Sequence, residues 1–424
     1  MAVRIELRRD AGRIDPGRNR WIRDRQVARV LGPPDPMAVA ELVDHRGQVL
    51  AHGLYSPESR ILLRVLSTGP KPPPADWLER RLAAAFAGRE GLGFSHASNL
   101  ASQVTTGYRE VNSEGDGVPG LVVDRFGEWR VVQITTAPIA ARRQAILAWL
   151  SEHAPLPGGQ ILLMADSAAA REGFAAGLEI HARDGLGTGP SALEWREHGS
   201  VFTAPFRAPS GRAEPSSSAP AVQKTGAYHD QRDNRRRFAE LVAARSVDTP
   251  RVLDLGCHVG GFSIAVAAAC PRARVVAVDQ SATVLEHLRR NAIANQVSDQ
   301  IQTVAADMFG DLARLDEPTV AGPFHAVIFD PPKIASSRRD LPRAVKAMAR
   351  TLSRVLPRLA NAGVIAVCSC SHHLGWDELE RAVLDASGSI RMARIARWGA
   401  GFDHPIAPGH DEGQYLRVAV YQRR

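Results

Sequence analysis

Cysteine is scarce. The 424-residue chain has four, Cys257, Cys270, Cys368 and Cys370, too few and too unevenly spaced for a disulfide framework. Cys368 and Cys370 are expected on opposite faces of one strand, poor geometry for two ligands of one ion, so no metal is expected. Lysine is nearly absent: four residues against forty-nine arginines, a skew of the kind codon bias produces, which weakens any argument from arginine counts alone. No apolar run reaches the roughly 18 residues of a membrane span. Met1 to Asp10 lacks the charged-then-apolar pattern of a secretory signal. A cytoplasmic protein is the expectation.

What is present points to a folded, multi-domain chain. The length allows two to four domains, and 44% apolar content supplies adequate core. The net charge of +8 makes nucleic acid the obvious acidic partner, and residues 1–30 hold nine arginines against four acids. A solvated arginine-rich surface explains the same count.

Three segments follow one another. Residues 1–72 read as short strands broken by Gly and Pro, at Gln26–Leu31, Ala38–Asp44, Val49–Leu54 and Arg60–Leu66, a small β-rich module. Gly69–Pro74, with four prolines in six residues, marks a boundary. Residues 73–206 read as α+β: helical spacing at Trp77–Phe86, strands at Leu121–Asp124 and Arg130–Thr135, and a helix near Ala140–Leu150. Asn112–Gly120 is a turn cluster whose acids could touch substrate, although a structural turn is the commoner role. Residues 207–222, rich in Pro, Ser and Ala, read as a linker or insertion. Residues 223–424 alternate strands and helices, with a helix at Arg232–Arg245, a strand at Arg251–Leu255 and a helix at Gly261–Ala269, as a doubly wound α/β domain does. The fold class is therefore α/β, with a Rossmann-like C-terminal domain behind a β-rich module and a middle α+β domain.

The last segment carries the chemistry. Val252–Gly261, Val275–Asp279, Ala305–Asp307, Ile328–Lys333 and Val367–Ser371 each end or follow a short apolar run. In an open parallel sheet the carboxyl ends of the strands line one crevice, so these segments assemble a single pocket. Gly256 and Gly260 let backbone approach a ligand, and Asp279 closes the next strand where a carboxylate can accept both hydroxyls of a ribose. A nicotinamide or flavin enzyme would share these features. Asp254, Asp307 and Asp330-Pro331-Pro332-Lys333 fit S-adenosylmethionine better, since no pyrophosphate needs cradling. The two prolines hold Asp330 in a defined place where a donated methyl would emerge.

Cys370 ends the strand beginning at Val364, across the expected pocket, and is the candidate nucleophile; Cys368 is expected in the core. His372 and His373 are minor candidates to assist its deprotonation.

With these residues in view, the chain resembles the bacterial large-subunit ribosomal RNA cytosine-5 methyltransferases with an N-terminal PUA domain, the RlmI-like family. The resemblance rests on Gly53–Ser59 with Arg64, Tyr108–Asn112, Asp116–Asp124, Gln223–Arg235, Asp330–Lys333, Ser369-Cys370-Ser371 and Asp403-His404-Pro405. It implies a PUA domain for RNA, a class I domain binding S-adenosylmethionine, and catalysis by Cys370 and Asp330. It further implies cofactor contacts from Lys224, Thr225 and Asp330 and substrate contacts from Gln231, Arg232 and Lys333. The expected product is 5-methylcytosine in 23S ribosomal RNA through a covalent cysteine adduct. A methyltransferase acting on a purine nitrogen, or a non-catalytic RNA-binding assembly factor, would share part of the pattern. A homodimer is compatible with the sequence. Two departures stand out: the insertion at Arg207–Val222, and Asp254-Leu255-Gly256-Cys257 where the family commonly has an Asn-Leu-Phe type of motif.

Overall fold

The computed structural model describes residues 3–12, 14–95, 104–183, 189–206, 227–310, 312–318 and 320–424. The expected linker 207–222 and the expected cofactor residues Lys224 and Thr225 lie outside the described residues. Contacts divide the chain into two units. One holds residues 1–193, 206–227 and 403–413; the other holds 194–205, 228–402 and 414–424.

In the first unit, β1 (Arg4–Leu7), β2 (Trp21–Arg23), β3 (Val27–Leu31), β4 (Val39–Val43), β5 (Val49–Tyr55) and β6 (Ile61–Thr68) form one sheet in the order β2-β6-β5-β4-β1-β3. Alternate residues such as Ile5, Leu7, Leu42, Tyr55 and Leu63 bury a common core. The basic N-terminal stretch thus contains strands: Arg4 pairs with Glu41 and Arg29 with Glu6 on the solvent side. Helix α1 (Trp77–Gly91) leads into a five-stranded sheet, order β11-β10-β9-β8-β7. Its strands are β7 (Gly107–Asn112), β8 (Leu121–Phe126), β9 (Trp129–Ile134), β10 (Gly159–Met164) and β11 (Gly177–Ala182). The helix expected near Ala140–Leu150 is two, α2 (Ala137–Ala141) and α3 (Arg143–His153), and a short α4 (Asp166–Glu172) follows β10.

The quoted N-terminal motifs are structural here. Arg64 donates to Glu172 and to Ser56 Oγ at 2.7 and 2.9 Å, and Ser59 Oγ donates to the same carboxylate at 2.5 Å, all buried. In the 112–120 turn, Asp116 takes both arms of Arg89 and the Asn112 amide, and on the strand that follows Asp124 receives the fork of Arg109. Asp403 accepts the Arg109 amide at 2.8 Å, which ties the 403–413 segment into this unit.

The second unit takes residues 194–205 of a hairpin, β12 (Ala192–Glu197) and β13 (Ser200–Pro205), that falls within the expected middle segment 73–206. Its residues 194–205 pack with the α/β layers because Asn291 and Asn295 hydrogen-bond to the backbone of Thr203 and Val201. There follow α5 (Arg232–Ala243), β14 (Arg251–Leu255), α6 (Gly261–Ala269), β15 (Arg274–Asp279), α7 (Ala282–Ala294), β16 (Ile301–Ala305), β17 (Phe324–Phe329), α8 (Leu341–Val355), β18 (Leu359–Ser369), α9 (Trp376–Ser387), β19 (Met392–Trp398) and β20 (Arg417–Arg423). The sheet order is β16-β15-β14-β17-β18-β20-β19; the first five strands are parallel and β20 runs antiparallel between β18 and β19. Both faces are covered, Leu253, Val327 and Val367 packing toward α8 and α9, Val252, Ala326 and Ala366 toward α5 and α6. Chain direction across the sheet reverses between β14 and β17, which sets a crevice at their carboxyl ends. Among the described residues, no helix is long and apolar enough to cross a membrane.

Candidate active site

The carboxyl ends of β14 and β17 are locked together by backbone. Asp330 N donates to Leu255 O at 2.9 Å, and a Cβ on Gly256 would lie 2.3 Å from Asp330 O. Gly256 also has φ +87, so this turn needs glycine twice over. Gly256 and Cys257 both donate to Val278 O, joining the turn to β15. Gly260, with φ +94, starts α6 and would place a Cβ 2.8 Å from Leu288.

Around this turn stand the expected carboxylates. Asp279 is partly exposed, its oxygens accepting from Ser281 N at 3.0 Å and His258 N at 3.1 Å. Asp254 is fully buried; its Oδ2 accepts from Ser263 N and Oγ, while among the described residues Oδ1 has no hydrogen-bond partner. Burial pushes the Asp254 carboxyl up to about 7, Ser263 opposing and the nearby Asp330 charge adding to the shift. Asp307 is exposed beyond β16 and caps its own turn through Phe309 N.

Asp330 is held from the other side. Gln231 Nε2 donates to its Oδ2 at 3.2 Å, and Gln231 Oε1 accepts from Asn234, which donates also to Gly399 O. Pro331 is buried while Pro332 and Lys333 are exposed. Arg232 is buried and its guanidinium folds onto Asp233 at 3.2 Å.

Cys370 is partly exposed immediately after β18, the neighbour of β17, and Ser371 Oγ donates to Ala335 O at 2.6 Å, binding the cysteine turn to the loop that follows Asp330. Cys368 is buried with its thiol pushed up by burial and then by Asp330. The expectation that the two thiols point to opposite faces fails. Residues two apart on a strand share a face, and both cysteines pack against the same apolar cluster.

Sequence reasoning missed the support beneath this site. Glu197 on the hairpin takes both bonds of Arg235 Nη1 at 2.8 and 2.7 Å and the Trp195 indole at 3.0 Å. Burial pushes the Glu197 carboxyl up, but Arg235 and His229 outweigh it and the pKa is lowered to about 2. Arg235 in turn donates to Tyr228 O and lies against Gly261, where a Cβ would sit 2.4 Å from its Nε. Arg235 was visible in the motif string; nothing in the sequence around Glu197 announced its partner.

A family model for a PUA-like domain matches residues 5–68 and one for a methyltransferase domain matches residues 252–355. The chain is 33% identical over 415 residues to a ribosomal RNA large subunit methyltransferase of Deinococcus radiodurans, covering 95% of this chain and 93% of that one. It is 29% identical over 427 residues to ribosomal RNA large subunit methyltransferase I of an Escherichia coli O139:H28 strain, covering 98% of each. Among solved structures, a protein described as a SAM-dependent methyltransferase of Streptococcus mutans superposes with a TM-score of 0.76 at 16% identity over 100% of both chains. A methyltransferase solved with SAH superposes with a TM-score of 0.77 at 16% identity, again over both whole chains. These two likenesses establish the fold; the sequence relatives establish the kinship. The chain belongs to the ribosomal RNA large-subunit methyltransferase family.

Proposed function

We propose that the protein methylates carbon 5 of a cytosine in large-subunit ribosomal RNA, with S-adenosylmethionine as donor and Cys370 as nucleophile. One observation carries the reading. Of the four cysteines, only Cys370 is both partly exposed and just past the carboxyl edge of the parallel strands, following β18, which pairs with the strand that leads into Asp330; Cys257 and Cys368 are buried and Cys270 follows α6.

The residues fit the donor. Asp254 Oδ1, without a hydrogen-bond partner among the described residues, is a buried polar atom that a polar group of the donor would satisfy, and Asp279 presents a fixed carboxylate suited to a ribose. Gly256 and Gly260 would shape the turn around it, and Lys224, Thr225 and Asp307 are further candidate contacts. When bound, S-adenosylmethionine supplies an electrophilic methyl on a sulfonium.

The chain's own residues do the rest. The target base leaves its stack to reach the crevice. The Cys370 thiolate pair forms a bond to carbon 6, and the electron pair of the 5,6 double bond makes carbon 5 nucleophilic. Asp330, steadied by Gln231, hydrogen-bonds the edge of the base and favours protonation of ring nitrogen 3. After methylation, loss of the carbon 5 proton restores the double bond and expels the thiolate. Lys333, exposed near Asp330, is a candidate contact for the RNA, and so is Arg232, whose buried guanidinium also hydrogen-bonds to Asp233.

The test is tritium transfer from labelled S-adenosylmethionine to ribosomal RNA lacking its modifications, followed by nucleoside analysis. Label in 5-methylcytosine, lost in Cys370→Ala with donor affinity retained, is the expected result. Label in a methylated purine would overturn the thiol mechanism.

A further inference from the structure

The segment that leaves β19 emerges at the edge of the sheet that carries Cys370. β18 and β19 both run antiparallel to β20, and Cys368 and Trp398 both pair with Val418. The two strands therefore end level with each other, about 10 Å apart across β20. Four residues beyond Trp398 stands Phe402, 63% exposed. A lone exposed apolar side chain is common on a protein surface. Three features set this one apart.

First, its backbone is fixed. Asn234 Nδ2 donates to Gly399 O at 2.8 Å, Gly401 N to Asp230 O at 3.1 Å and Phe402 N to Asp233 Oδ2 at 3.3 Å. Asn234 also donates to Gln231, which holds Asp330, so the ring stands on the frame of the catalytic carboxylate. Second, Trp398 and Ala400 pack against the apolar core of the unit, while the ring after them stays in water. Third, the Arg237 guanidinium lies over that ring, 5.8 Å from its centroid. The neighbouring Arg236 reaches Glu240 at 3.8 Å, and no carboxylate pairs with Arg237 among the described residues. Arg397 over Trp376 makes the contrast: that arginine is paired with Glu380 and that ring packs against the core.

We infer that Phe402, with Arg237 over it, is a stacking platform for an unpaired RNA base flanking the target cytosine. The inference rests on the reading above that the substrate is RNA. A base that leaves its stack strips its neighbours of a stacking partner, and a rigid aromatic face at the same sheet edge replaces that partner. Phenylalanine has no polar atom with which to read a base edge. The platform therefore places the strand and tolerates any base, and Arg237 adds a cation beside the phosphate.

The test is binding of the full chain to two strands of about 12 nucleotides, one a single-stranded RNA and the other with abasic spacers in place of its bases. Phe402→Ala should weaken the base-bearing strand about tenfold and leave the abasic strand as the parent binds it. The slope of log affinity against log salt should not move, because no charge is lost. Phe402→Trp should bind at least as tightly as the parent, and Phe402→Leu should lose as much as Phe402→Ala. Leu384→Ala, at a 70% exposed position in α9, should change nothing. Donor affinity by calorimetry should be unchanged in every variant. Parent-like binding by Phe402→Leu would reduce the ring to a plain apolar contact and overturn the platform. So would an equal loss on both strands, or a fall in donor affinity, which would make Phe402 a support of the site. Unchanged binding by Phe402→Ala, with the parent still methylating ribosomal RNA, would overturn the platform and leave the catalytic reading intact. A parent that neither binds nor methylates RNA would sink both.

Discussion

Asp254 combines complete burial, one oxygen satisfied by Ser263 and one oxygen bare. Its carboxyl titrates near 7 in the fold against an ordinary value of 3.8. Between those values the folded state holds a proton that the unfolded chain has released. This contribution to stability is therefore fully present below the unfolded value and is lost as pH rises through about 7. Asp254→Asn, which keeps the neutral shape, should flatten the fall in melting temperature between about pH 4 and 7. A variant whose melting temperature falls as steeply as the parent's would show that this carboxyl does not carry the proton. Glu197 behaves in the opposite sense. Held at about 2, it stabilises above its ordinary 4.5 and loses that contribution as pH falls toward 2. Glu197→Gln would leave Arg235 buried without its counter-charge, and a loss of about 3 kcal/mol is expected in urea unfolding. A loss below about 1 kcal/mol would mean that Arg235 finds another acceptor.

At the level of elements, the turn from β14 to α6 is the most constrained segment in the site. An alanine at Gly256 must adopt a left-handed backbone, costing about 1 kcal/mol, and must also displace the Asp330 carbonyl, which belongs to the neighbouring strand end. Gly256→Ala should weaken donor binding at least about tenfold by calorimetry, with the far-ultraviolet spectrum nearly unchanged. Parent-like affinity would show that the donor does not depend on this turn. The hairpin β12–β13 acts on the same segment from below: its Glu197 holds Arg235, and Arg235 braces Tyr228 and Gly261. Much of the described part of that motif string, residues 227–235, is therefore support, with Gln231 the member that reaches Asp330.

Across the whole chain, each unit borrows a segment distant in sequence. Residues 403–413 complete the N-terminal unit, where Asp403 accepts the Arg109 amide, its backbone carbonyl accepts from Arg89, and Pro405 O accepts from Asn112. Asp403→Ala in the full chain should speed hydrogen exchange at the Arg109 amide and destabilise that unit by about 1–3 kcal/mol. Protection equal to the parent's at this amide would show that the contact contributes nothing.

The strand and helix sequence of the α/β unit was legible from residues alone, because a sheet buried on both faces writes itself as short apolar runs with acids and glycines at their ends. Arg251–Leu255 and Gly261–Ala269 lie where the pattern put them. The candidate pocket residues Asp254, Gly256, Asp279, Asp330 and Cys370 followed from the same punctuation. Less was legible where charge conceals structure. The strands at Arg4–Leu7 and Trp21–Arg23 hide in an arginine-rich stretch because the arginines occupy the solvent face. The single face shared by Cys368 and Cys370 follows from the two-residue period of a strand, and their different exposure depends on how neighbouring elements cover that face. What the sequence by itself determined is the kind of layers and the chemistry gathered at one sheet edge, since burial period and strand ends are local properties. Only the tertiary structure decided that Arg64, Arg89, Glu197 and Arg235 are buried supports. A charge's role depends on which distant group faces it, and spacing along the chain does not encode that.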